Sequence, residues 1–213
     1  MKSKDVVEII KILKKTYPDA KCSLDFSTPF TLLVAVMLSA QCTDERVNLT
    51  TPSIFEKYST PQDFATMDIK ILEELIHPCG FYKTKAKHIQ ETARIIVEKF
   101  DGKVPQNMKD LMSLPGVGRK TANVVMLEAF SNPQGIAVDT HCMRISNRMG
   151  LSREIVPEKI EKDLLKMIPP EFYKDVNHLF IWHGRNICTA RAPKCDECPV
   201  ASYCQKRFAK EEF

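Results

Sequence analysis

The sequence predicts an all-α fold, and three observations carry that expectation. Threonine–proline pairs recur at Thr28-Pro29, Thr51-Pro52 and Thr60-Pro61, each offering an N-cap hydroxyl followed by a proline suited to the first helical position. Apolar residues repeat at three- and four-residue spacing, as in Val6, Ile9, Ile10 and Leu13. Runs that alternate apolar and polar residues, the mark of half-buried strands, are absent.

The first expected helix, 4–16, is amphipathic. Asp5, Glu8 and Lys11 interrupt its apolar residues, so it lacks the continuous core of a secretion signal. Within the next, 29–41, "FTLLVAVMLSA" is apolar on every side and reads as a buried helix, since a bilayer span needs roughly 20 apolar residues. Helices over 44–57, 61–66, 68–77, 83–99 and 107–113 follow. The stretch "LPGVGRKTANVVMLEAF" then gives a tight turn and a helix over 119–130, and "SNPQG" at 131–135 is the clearest break in the chain. Helices over 140–149, 157–167 and 171–184 complete the pattern.

With 213 residues, 44% hydrophobic and 27% charged, the chain has the composition of a folded globular protein rather than a disordered one. A net charge of +4 leans toward a polyanionic partner without deciding for one. No membrane span is expected, and the setting read from these features is cytoplasmic and reducing. There, a cluster among the eight cysteines points to metal or catalysis rather than disulfides. Cys22, Cys42, Cys79 and Cys142 are scattered and read as small buried hydrophobes.

Gly116 and Gly118 can adopt backbone angles denied to other residues and let another molecule approach the main chain. The helix start behind them offers unpaired amides and a positive dipole end, which suit a phosphate. A plain helix connector is the competing reading of the same residues. Lys120 lies in the first turn of that helix, where the dipole disfavours an ammonium ion, so it can serve as a neutral amine nucleophile. Asp139, in "AVDTHCMRISNRMGL", stands at an N-cap, where the same field favours a carboxylate. Residues 131–139 could extend about 30 Å, long enough to return Asp139 toward Lys120. His141, two residues on, suits a first-turn hydrogen bond or a phosphate contact. His77, His88, His178 and His183 show no ligand spacing.

Cys188, Cys195, Cys198 and Cys204 place four thiols within one short loop, a spacing that admits either zinc or an iron–sulfur cluster. Arg191 and Lys194 lie between the first two, where a loop pinned at both ends would present cations to phosphates.

Together, "LLVAVMLSAQCTD", "LPGVGRKTANVV", "AVDTHCMRISNRMGL" and "HGRNICTARAPKCDECP" resemble the endonuclease III family of DNA glycosylases and abasic-site lyases, in order and over nearly the whole chain. The resemblance implies a two-domain helix-hairpin-helix glycosylase fold. A six-helix barrel domain would cover 22–132, and a discontinuous domain of 1–21 and 133–213 would carry a [4Fe–4S] cluster on the four cysteines. It implies Lys120 as Schiff-base nucleophile, Asp139 as catalytic carboxylate, and Leu114, Gly116, Val117, Gly118 and Arg119 as the hairpin gripping the DNA backbone. Gln41 would fill the gap left by a flipped nucleotide and Phe81 would wedge the opposite strand, an apolar insertion of a kind that stabilises kinked DNA. Family members commonly carry leucine and alanine where this chain has Phe81 and Cys42.

The expected partner is double-stranded DNA with damaged pyrimidines or abasic sites, bound by a monomer that joins the nucleoid when on DNA. Two other readings compete. An adenine-mismatch glycosylase of the same superfamily usually lacks a lysine at the Lys120 position and has a further C-terminal domain, whereas nine residues follow Cys204 here. A DNA-binding module without catalysis would need neither Lys120 nor Asp139.

Overall fold

The computed structural model describes residues 2–207, and among them there is no strand. The helices are α1 (Ser3–Thr16), α2 (Pro29–Leu38), α3 (Asp44–Phe55), α4 (Pro61–Thr66), α5 (Ile69–Ile76), α6 (Tyr82–Lys99), α7 (Met108–Met112), α8 (Arg119–Phe130), α9 (Thr140–Met149), α10 (Pro157–Met167) and α11 (Tyr173–Asn186). Short 3₁₀ turns lie at His77–Cys79, Pro170–Phe172 and Cys195–Glu197. Backbone contacts divide the chain into two units, Ser23–Asn132 and the combination of Met1–Cys22 with Pro133–Phe213. No helix among the described residues is long and apolar enough to cross a membrane.

In the unit Ser23–Asn132, α2 is the central element: every residue from Phe30 to Leu38 is buried. It packs against α3, α6 and α8, and the Phe30 ring meets Phe64 of α4 edge-on at 5.3 Å. Thr28 opens α2 as the Thr-Pro pattern predicts. Its hydroxyl accepts from the Thr31 N–H at 3.1 Å, while Thr31 Oγ1 accepts from the Thr28 N–H at 2.9 Å. Thr60 and Asp63 repeat this arrangement at α4.

Thr51-Pro52 departs from the pattern. Pro52 lies in the last turn of α3, where a missing N–H costs one helical bond, and Thr51 is a buried helical residue whose hydroxyl donates to the Val47 carbonyl at 3.1 Å. The cap of α3 is Thr43 instead, accepting from the Arg46 N–H. Helix α2 also stops short of the expected residue 41. The ammonium of Lys85 takes the Leu38 carbonyl at 2.8 Å, and the Cys42 N–H turns back to the Ser39 carbonyl, so the chain leaves the helix with Gln41 at φ +53°.

In the other unit, Val6, Ile9, Ile10 and Leu13 of α1 are fully buried, as their spacing predicts. They join Ile145 and Met149 of α9, Ile160 and Leu164 of α10, and Val176 and Phe180 of α11 in one core. Each fully buried side chain of this size contributes about 1.5–3 kcal/mol. The surface pair Lys14–Asp175, at 3.0 Å with the lysine half-exposed, adds about 1 kcal/mol or less. Packing, not charge, therefore holds α1 in place.

Candidate functional site

Leu-Pro-Gly-Val folds as residue chemistry dictates. The Val117 N–H donates to the Leu114 carbonyl at 3.1 Å, Pro115 occupies the second position, and Gly116 takes φ +74° at the third, the arrangement of a type II turn. The Thr92 hydroxyl of α6 anchors the Pro115 carbonyl at 2.9 Å. A Cβ at Gly116 would come within 2.9–3.1 Å of the His88 side chain, so both conformation and packing require glycine there. Gly118 differs from expectation. Its φ of −84° is open to any residue, and a Cβ would meet nothing within 4 Å of the protein. Special backbone angles are needed at Gly116 but not at Gly118, where what glycine preserves is open space beside the backbone.

That space lies at the start of α8. Helices α2, α3, α4, α5, α7 and α9 are each capped by their own N-cap side chain, whereas α8, like α6, α10 and α11, has no side-chain cap, and its first turn holds no acidic residue. An uncapped helix start, with its positive dipole end, suits an anion supplied from outside. Leu114 and Val117 are buried, so they could meet a ligand only through main-chain atoms. Arg119 is half-buried, and Lys120 is exposed in the first turn.

Asp139 is the N-cap of α9: its Oδ1 accepts from the Cys142 N–H at 2.7 Å. The extended segment leading to it is fixed from two sides. Glu161 of α10 accepts from the Ile136 N–H at 3.3 Å, and Asn177 of α11 donates to the Ala137 carbonyl at 2.8 Å. Both polar side chains are buried, and neither is marked as functional by sequence pattern. Lys120 belongs to the unit Ser23–Asn132 and Asp139 to the other.

The four clustered cysteines line one small cavity together with Arg148 and His183. Among the described residues no three His, Cys, Asp or Glu side chains converge as a single-ion site requires. Four thiols lining one cavity fit a cluster that takes one thiolate from each. Burial pushes the Cys198 and Cys204 thiols up, so a metal must hold them as thiolates.

Nitrogen donors stand ready for sulfur charge. Arg148 Nη1 reaches Cys188 Sγ at 3.5 Å, the Lys206 N–H reaches Cys204 Sγ at 3.3 Å, and His183 Nε2 lies 3.6 Å from Cys198 Sγ. The Tyr17 hydroxyl, 3.0 Å from His183 Nδ1, can donate there and leave the proton on Nε2, facing the sulfur. Burial lowers the His183 imidazole to about 4, so it acts as a neutral hydrogen-bonding group. His183 touches the cysteine cavity, which no local pattern signals.

Arg144 and Arg148, one turn apart on α9, staple the start of the cysteine loop. Arg144 Nε donates to the Cys188 carbonyl at 3.1 Å, and Arg148 donates to the Thr189 and Ala190 carbonyls at 2.6 and 2.7 Å. Arg144 also contacts His141 Nδ1 at 3.1 Å, placing His141 beside the loop. Arg191 and Lys194 are exposed on it. Phe81 is 68% exposed, against the ordinary core role open to a phenylalanine, and Gln41 is exposed as well. Cys198→Ala removes one of four thiolates. Iron content and visible absorbance of the purified protein should fall to background, while a loss of under half the iron would refute the assigned ligand set.

The HhH-GPD superfamily base excision DNA repair protein model matches residues 34–170, and the iron-sulfur binding domain of endonuclease III matches residues 188–204. A similar protein is endonuclease III of Synechocystis sp., 52% identical, with 95% of this chain and 93% of that one covered. Among solved structures, a non-covalent endonuclease III–DNA complex superposes with a TM-score of 0.90 at 42% identity, covering 97% of this chain and 96% of that one. A trapped endonuclease III–DNA covalent intermediate gives 0.91 at 42% identity, with 97% of each covered.

Proposed function

This chain belongs to the endonuclease III family of base-excision-repair DNA glycosylases and abasic-site lyases with a [4Fe–4S] cluster, and we propose that it removes damaged pyrimidines from duplex DNA. Lys120 is the nucleophile and Asp139 the catalytic carboxylate in this reading. The Lys120 amine attacks the sugar C1′, the C1′–N bond breaks, and the base departs with the electron pair and a proton. Asp139 stabilises the positive charge that builds on the sugar as the base leaves. Ring opening gives an imine between Lys120 and C1′. The imine acidifies the C2′ proton, whose removal expels the 3′ phosphate and cuts the strand.

The open, uncapped start of α8, with Gly118 beside it and Lys120 in its first turn, is the observation that carries this reading. A phosphate held on those amides brings the sugar-phosphate chain next to the amine. Main-chain atoms from Leu114 to Arg119 grip the backbone without reading bases, as suits an enzyme that must act in any sequence. His141, Arg191 and Lys194 add backbone contacts. Extrusion of the target nucleotide leaves a gap for Gln41, and Phe81 wedges the opposite strand. The protein works as a monomer in the cytoplasm, on nucleoid DNA.

Duplexes carrying an oxidised pyrimidine, a preformed abasic site or an adenine mismatch test the substrate. The first two should be cut and the third left whole, whereas adenine release without strand cleavage would overturn the assignment. The two glycines separate fold from grip. Gly116→Ala should lower stability by about 1–2 kcal/mol, because an L-residue is forced left-handed against His88. Gly118→Ala should change stability by less than about 0.5 kcal/mol yet weaken duplex binding. Equal effects of the two in both denaturation and binding titrations would refute the separation.

A further inference from the structure

Gln41 and Phe81 share an unusual backbone: both are non-glycine residues in the left-handed region, at φ +53° and +48°. Such residues keep that conformation where their surroundings over-determine it. One buried side chain reaches the main chain just ahead of both. Lys85 Nζ donates to the Leu38 carbonyl at 2.8 Å, three residues before Gln41, and to the Cys79 carbonyl at 2.9 Å, two residues before Phe81. The Lys85 backbone N–H also donates to the Phe81 carbonyl at 3.0 Å.

Lys85 is 7% exposed, far deeper than lysine usually sits. Burial lowers its pKa, opposed by the Cys42 and Cys79 thiols beside it. The C-terminal end of α2, whose last carbonyl it caps, favours a cation. A flexible, strongly hydrated side chain is thus held in the protein by two carbonyls that belong to two separate DNA-facing turns.

We infer that Lys85 is a positioning residue that fixes the spacing and aim of Gln41 and Phe81, so that gap filling and strand wedging occur as one event. The inference rests on the insertion roles proposed for those two residues. It assigns Lys85 no contact with DNA or with the reacting atoms.

Lys85→Met should slow excision of an oxidised pyrimidine from duplex by about 10- to 100-fold, the scale of a small misplacement. Cleavage of an abasic site in a single-stranded oligonucleotide, which has no opposite strand to wedge, should change less than about twofold. 2-Aminopurine opposite the lesion should lose its fluorescence rise on binding, with affinity for undamaged duplex and cluster absorbance unchanged. In a Gln41→Ala/Phe81→Ala background, Lys85→Met should add less than about twofold, because what it positions is gone.

Losses that multiply in that background, or an equal loss on single-stranded substrate, would show a merely structural lysine and overturn the inference. So would a silent Lys85→Met beside impaired Gln41→Ala and Phe81→Ala. If those two variants are themselves silent, the insertion reading fails first. Should Lys85→Met not fold, Lys85→Arg, which keeps the charge and can donate to both carbonyls, carries the same comparison with a smaller loss confined to duplex.

Discussion

Lys120→Ala is expected to leave no covalent adduct when the protein is incubated with lesion-bearing duplex and borohydride, under conditions where the parent chain is trapped quantitatively. Borohydride reduces the carbon–nitrogen double bond of the imine to a stable amine, so the adduct on a denaturing gel reports the nucleophile itself. Strand cleavage should fall by at least about 10³-fold, the order seen when an enzyme loses its nucleophile. The fold offers no reason for a false result. Lys120 is exposed in the first turn of α8, where alanine is at least as good a helix former. Duplex binding through the hairpin amides should persist with a modest drop. A trapped adduct of normal yield from Lys120→Ala would move the chemistry to another amine and remove the mechanism proposed above.

What the sequence made legible is what local chemistry decides. The buried face of α1 follows from four residues at helical spacing, and the burial of α2 from a run with no polar side. The hairpin is equally local: Pro115 and Gly116 suffice to specify a type II turn, and the open helix start behind it needs only the absence of a capping side chain. Four cysteines in one short loop line one cavity because the loop is too short to scatter them.

What stayed hidden depends on residues far apart in the chain. Lys85 sits in "YKTKAKHI" between Lys83 and Lys87, and only the carbonyl of Leu38, 47 residues away, marks it as the one turned inward. His183 meets Tyr17 across 166 positions and Cys198 across 15, so its place at the metal centre has no local trace. Arg144 and Arg148 do stand one turn apart on a helix just after the proposed catalytic aspartate. That spacing, read against the carbonyl-rich loop that must fold somewhere, is the signal that could have found them. Thr51-Pro52 misleads for the opposite reason. The pair has the chemistry of a helix start, but Thr43 already caps α3, and a proline in the last turn of that helix is cheap enough to tolerate.

Asp139→Asn separates charge from structure at one atom. Asparagine is as good an N-cap as aspartate, and its side-chain oxygen can still accept from the Cys142 N–H, so stability should change by less than about 0.5 kcal/mol. What disappears is the negative charge. Excision of a damaged pyrimidine should slow by about 10²–10³-fold, the scale of losing one preorganised electrostatic stabiliser. Cleavage at a preformed abasic site should suffer less, since the step in which positive charge builds as the base leaves has already passed. Duplex affinity should hold or rise slightly as a carboxylate near a polyanion is neutralised. Asp139→Ala supplies the contrast, because it removes charge and cap together and should cost about 1 kcal/mol of stability besides. If Asp139→Asn excises at the parent rate while Asp139→Ala does not, the carboxylate is a helix cap and nothing more.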